Sequence, residues 1–135
     1  MMFLTWNHAC TVGVKAIDEQ HAVLMDTLNE IRLALVRGQG REQVSEGLNR
    51  LIDFTRMHFA SEEQLLENHG FPGIGAHRDA HHKLLGQLED AALRAQHNDE
   101  IHMKAMLLFL RDWYMSHLEG LDRQCGEWLN ARGIS

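Results

Sequence analysis

Seven residues carry metal-ligating side chains at spacings that a helix would align: His21, then His58 with Glu62, His77 with His81, and His117 with Asp122. Two of the pairs are four residues apart. Each such pair lies one turn apart on nearly the same helical face, where it can chelate one ion or two neighbouring ions. Five imidazoles and two carboxylates are enough to hold two metal ions. The pairs interrupt stripes that are otherwise apolar, and no Lys or Arg shares those stripes. A buried carboxylate without a positive partner carries a desolvation penalty of roughly several kcal/mol, so Glu62 and Asp122 require a cation, and a metal is the natural one. Donors of this kind suit zinc and manganese as well as iron.

His117 and Asp122 are five residues apart, about 140° around an ideal helix. Both reach a common centre only across a wide inward arc or through a local bulge. Gly120 lies between them. A glycine in mid-helix costs about 0.5–1 kcal/mol relative to alanine, and easing this turn would account for it.

The elements that must position these side chains separate at glycines. After Asp18, a suitable N-cap, Leu24, Leu28, Ile31 and Leu35 follow His21 at helical steps until Gly38 and Gly40. A second helix is predicted from about Arg41 to Asn68, with Val44, Leu48, Leu51, His58, Glu62 and Leu65 on one stripe, and the segment HGFPGIG breaks it. A third, from about Ile74 to Ala95, carries His77, His81, Leu84 and Leu88. The polar stretch Gln96 to Glu100 leads into a fourth, ending near Trp128, whose inward face holds Met106 or Leu107, Leu110, Tyr114, His117 and Leu121. Four amphipathic helices joined by short loops imply an all-α, antiparallel up-down-up-down four-helix bundle over about residues 18–130, preceded by an N-terminal arm of residues 1–17, in one domain spanning 1–135.

Composition narrows the function further. The chain has 135 residues, 44% apolar and 24% charged, with one proline, which suits a soluble globular protein. Its net charge of −6 and the absence of any Lys/Arg block disfavour nucleic acid as a partner. The apolar run Ala105 to Leu110 is too short to cross a bilayer, and the start MMFLTWNHAC lacks the basic region of a signal peptide, so a cytoplasmic protein without membrane insertion is expected. Cys10 and Cys125 form no C-x-x-C motif, which suits a reducing compartment; a redox-sensitive pair near the metal-bearing end is the sharper alternative to two unrelated thiols.

Taken together, IDEQH ending at His21, HFASEE beginning at His58, HGFPGIGAHRDAH ending at His81 and HLEGLD from His117 to Asp122 resemble the bacterial hemerythrins over nearly the whole chain. Trp6, Gly70-Phe71-Pro72 and Trp113 resemble the flanking pattern of that family. The resemblance implies a non-haem di-iron centre with an oxo or hydroxo bridge. His77, His81 and His117 would ligate one iron, His21 and His58 the other, and Glu62 and Asp122 would bridge them. Of about twelve octahedral positions on two irons, five histidines, two bridging carboxylates and one small bridge leave a single one open, on the two-histidine iron.

The function implied is reversible binding of dioxygen for carriage, storage, delivery or sensing, without catalysis. The alternatives are a di-iron enzyme on the same site (a peroxidase, oxidase or nitric oxide reductase) and a small sensory interaction module. Leu24, Leu28, Leu110, Trp113 and Tyr114 are the candidate O2-pocket residues. Tyr114 departs from the leucine common in the family three residues before the histidine. Its phenol either faces the pocket, which would favour peroxide chemistry, or bonds a carbonyl or solvent. Glu63 is expected to pair with an exposed neighbour or to orient a ligand. His8, His69, His82, His97 and His102 are expected at the surface, and the chain is expected to be a monomer.

Overall fold

The computed structural model describes residues 12–38, 41–95 and 100–135. Trp6, His8, Cys10, Gly40 and His97 lie outside the described residues, as does the side chain of His102.

Along α1 (Lys15–Val36), Ile17, His21, Leu24, Leu28, Ile31 and Leu35 are buried on one side, as their three- and four-residue spacing requires. The helix starts three residues before the expected cap. Val14 occupies the N-cap position without a side-chain hydrogen bond, and Asp18 instead sits in the first turn, where its Oδ1 accepts from the Val12 backbone N–H at 2.8 Å. The carboxylate still satisfies a donor near the helix start, but from inside the helix. The arm therefore ends at Val14, and the bundle begins at Lys15.

Helices α2 (Arg41–Asn68) and α3 (Ile74–Ala95) match the predicted spans. Between them Gly70 takes φ +73°, its N–H bonding Glu67 O while Phe71 N–H bonds Leu66 O at 2.9 Å. This is a Schellman stop, which needs a left-handed residue and hence glycine. Leu66, not Leu65, is the fully buried residue of that turn, and Phe71 packs in the same apolar cluster.

Helix α4 (Glu100–His117) does not end where its hydrogen bonding changes. A π-helical turn, Leu118–Asp122, joins it directly to α5 (Arg123–Asn130). The Arg123 N–H reaches Leu118 O, five residues back. The fourth rod thus runs from Glu100 to Asn130, and the wider turn makes Leu118 buried while the predicted Leu121 is only half-buried.

Helix α1 packs against α2 and α4, and α3 likewise against α2 and α4. That cyclic order with short connections is the up-down-up-down bundle. No strand occurs among the described residues. A main apolar cluster includes Leu24, Leu28, Leu48, Leu51, Leu84, Leu88 and Leu110, and a second one groups Val12, Val14, Ile17, Leu66, Cys125 and Leu129. On α1 and α3 the candidate ligand residues fall between the two clusters, His21 between Ile17 and Leu24, His77 and His81 between Ile74 and Leu84, while on the other two rods His58 and His117 adjoin Phe59 and Leu118 of the main cluster. Each buried leucine contributes roughly 1.5–3 kcal/mol, and the two clusters together hold the polar layer in place.

Candidate metal centre

All seven expected ligand residues converge between the four rods and are buried: His58, Glu62 and His77 at 1% exposure, His81 at 2%, His21 and Asp122 at 3%, and His117 at 8%. Their ligand atoms form two groups, His77, His81, His117 and Asp122 on one side and His21, His58, Glu62 and Asp122 on the other, each with its atoms within 4.8 Å of one another. Asp122 joins both groups only because of the π turn. The i→i+5 pattern places residues five apart nearly above each other, where a continuous α-helix would have turned Asp122 away from His117.

The two carboxylates divide their oxygens between the groups. Asp122 turns Oδ2 toward His21 Nε2 at 3.0 Å and Oδ1 toward His117 Nε2 at 3.0 Å and His77 Nε2 at 3.4 Å. Glu62 turns Oε2 toward His58 Nε2 at 3.2 Å and His21 Nε2 at 3.8 Å, and Oε1 toward His77 Nε2 and, at 3.6 Å, His81 Nε2. Despite these approaches, His21 Nε2, His81 Nε2, His117 Nε2, Glu62 Oε2 and Asp122 Oδ1 have no aligned hydrogen-bond partner. Buried ring nitrogens and carboxylate oxygens aimed at common points without aligned partners are what a cation would satisfy.

Protonation in the metal-free chain follows from this crowding. Burial pushes His21 down, but the nearby Asp122 and Glu62 carboxylates prevail and raise it to about 9. At His77 burial likewise acts downward and is outweighed by Asp122, Cys125 and Glu62, which push it up to about 12. His81 is driven down to about 3 by burial, with the charges of His77 and His117 adding to it against the pull of Glu62. Burial and mutual repulsion push the two carboxylates up, yet the surrounding histidines hold both below the usual carboxylate range.

Three of the histidines are held from behind. With a metal ion on Nε2, Nδ1 would carry the proton and donate. His58 Nδ1 meets Gln20 Oε1 at 2.6 Å, His81 Nδ1 meets Glu63 Oε2 at 3.0 Å, and His77 Nδ1 meets Cys125 Sγ at 3.2 Å. Glu63 meets both expectations, orienting His81 with one oxygen while the other pairs with the exposed Arg78 at 3.3 Å. Phe59 stacks on the His81 ring, with centroids 3.7 Å apart and planes 2° off parallel. Sequence reading missed Gln20 and the bond from His77 to Cys125. Gln20 adjoins a ligand in the chain, which was its only signal.

Among the expected pocket residues, Leu24, Leu28, Leu110 and Tyr114 belong to the main apolar cluster. Trp113 packs against the edge of that cluster, half-buried and stacked on His117 at 5.0 Å, and with Gly120 and Gln124 it lines a surface cavity of about 340 Å³ on the three-histidine side. The Tyr114 hydroxyl meets neither a carbonyl nor solvent. It lies 2.7 Å from Thr55 Oγ1 across the α2–α4 contact, both side chains buried, and burial pushes the phenol up against the milder pull of Thr55.

Residues 12–129 match the family model described as the hemerythrin HHE cation binding domain. The chain is 30% identical to the bacteriohemerythrin of Stenotrophomonas maltophilia, over 97% of this chain and 84% of that one. It is also 30% identical to the bacteriohemerythrin of Methylococcus capsulatus, over 97% and 100%. Among solved structures it resembles wild-type hemerythrin with a TM-score of 0.81 and 28% identity, covering 93% of this chain and 96% of that chain. A hemerythrin with one leucine replaced by tyrosine matches at 0.83 and 29%, covering 94% and 97%.

Proposed function

The chain belongs to the hemerythrin HHE cation binding family, and on that premise we propose that it binds dioxygen reversibly at a centre of two iron ions. The observation that carries this reading is the division of each carboxylate, one oxygen toward the three-histidine group and one toward the two-histidine group. Such carboxylates bridge. His77, His81 and His117 would hold one iron, His21 and His58 the other, with Glu62 and Asp122 between them. When bound, a pair of ferrous ions supplies the two electrons that dioxygen takes up and returns.

The chain's own residues do the rest. In this dry site the Glu62 and Asp122 carboxylates would offset part of the charge of two metal ions, while neutral imidazoles would add none. Gln20, Cys125 and Glu63 would hold the rings of His58, His77 and His81 in orientation. Leu24, Leu28 and Leu110 exclude water, which slows hydrolytic loss of the bound molecule. Tyr114 lent the enzyme alternative on this same site its added support, and with Thr55 engaging that hydroxyl, carriage, storage, delivery or sensing is the reading retained. No described helix is long and apolar enough to cross a membrane. We propose a single-domain protein whose ligand is dioxygen, without nucleic acid as a partner.

The test is direct. Ferrous iron is added anaerobically, the iron content per chain is measured, and the reduced protein is exposed to air while the visible spectrum is followed. Two irons per chain and a charge-transfer band that vanishes under vacuum are expected. A chain that takes up no iron, or one whose band decays at once with peroxide release, contradicts the proposal.

A further inference from the structure

Cys125 is 1% exposed, and it lies three residues beyond Asp122, one turn further along the same rod. Its sulfur is 3.2 Å from His77 Nδ1, on the side of the ring away from the carboxylates. We infer that Cys125 is a positioning residue for the metal centre, which fixes the ring of His77 and sets its donor strength through a sulfur acceptor. The inference rests on the proposed metal centre and assigns the thiol a task there.

The reasoning starts from the acceptors. A ligand imidazole gives up electron density to its metal more readily when its N–H faces a strong acceptor. His81 faces a carboxylate, His58 an amide oxygen, and His77 a thiol sulfur, the weakest acceptor of the three. The three-histidine group therefore holds one ring made strongly basic by Glu63 and one left nearly unassisted. An unassisted donor favours the reduced ion over the oxidised one, which suits a centre that must recover the electrons it lends.

The fold keeps that weak contact dry. Cys125 belongs to the second apolar cluster with Val12, Val14 and Leu129. Next to it, Gly126 is buried so closely under the arm that a Cβ there would stand 2.0 Å from the Val12 carbonyl oxygen. Glycine thus lets the arm close over the thiol. A hydrogen bond to sulfur that water would readily replace is strengthened in such surroundings.

The experiment compares the full chain with Cys125→Ala and Cys125→Ser, all loaded anaerobically with ferrous iron. Iron release to a chelator is timed, and the exchange rate of the shifted imidazole N–H resonances is measured by proton NMR. Cys125→Ala should release iron from one of the two positions about tenfold faster and exchange one N–H faster. Cys125→Ser, which offers a better acceptor, should restore both and slow the N–H exchange. Equal release and exchange in wild type and the Ala variant would overturn the inference. So would equal losses in both variants, because packing alone would then explain them. If the wild type retains no iron, the underlying reading fails and this one with it; iron bound with insensitivity to Cys125 sinks only the latter.

Discussion

His117 Nε2 and Asp122 Oδ1 lie 3.0 Å apart although five residues separate them on one unbroken rod. The π turn makes this possible, and through it Asp122 stands in both ligand groups. Asp122→Asn keeps the shape of the side chain and removes its charge. Such a variant should bind one iron or none per chain, with affinity lowered about 10- to 100-fold or more. Iron analysis after desalting checks this; retention of two irons would show that Asp122 does not bridge.

Metal loading should release protons. In the metal-free chain His21, raised to about 9, and His77, raised to about 12, are protonated at neutral pH, and a metal needs both at Nε2. Iron affinity should therefore rise with pH between 6 and 8. The same shifts act oppositely on the metal-free fold. The stability that His21 contributes is fully present below its ordinary value of 6.5 and is lost as pH rises through about 9. A weakly buffered titration with a pH indicator measures the first effect, and denaturant melts of the metal-free chain from pH 6 to 10 measure the second.

Tyr114→Phe leaves the fully buried Thr55 hydroxyl without its partner. It should destabilise the chain by about 1–3 kcal/mol, while Tyr114→Phe combined with Thr55→Val should recover much of that loss. The lifetime of the oxygenated form should change little. A markedly longer lifetime in the single variant would show instead that the phenol reaches the bound molecule.

Glu63 is predicted to matter through His81. Glu63→Ala should speed iron loss about 10- to 100-fold, and Glu63→Gln, which still accepts at the same place, should lose far less. A chelator-competition assay separates the two. If both variants behave as wild type, Phe59 stacking alone holds the His81 ring.

Much of this centre was legible before any coordinates. His58 with Glu62, and His77 with His81, betray themselves because a four-residue step on an apolar stripe is a local property of the chain. The ends of α2 and α3 were equally plain, since Gly70 and Pro72 act on their own neighbours. Local reasoning failed where two local solutions compete. Asp18 could cap from outside the helix or reach back from within, and the arm residue Val12 decided it. Leu118 displaced Leu121 from the interior because the π turn changes the helical phase.

What the sequence by itself determined is the composition of the buried polar layer: which seven side chains point inward, on which rods, between which apolar positions. Periodicity suffices for His21, His58, Glu62, His77, His81 and His117, because it depends only on each helix's own geometry; Asp122 turns inward through the π turn. Only the tertiary structure decided which carboxylate oxygen faces which histidine, that Gln20, Glu63 and Cys125 stand behind three of the rings, and that Thr55 takes the Tyr114 hydroxyl. The contacts of Gln20, Glu63, Cys125 and Thr55 join residues 18 to 59 positions apart. Their existence depends on how far each rod is rotated and shifted against its neighbours, and that is set by the packing of the two apolar clusters as a whole.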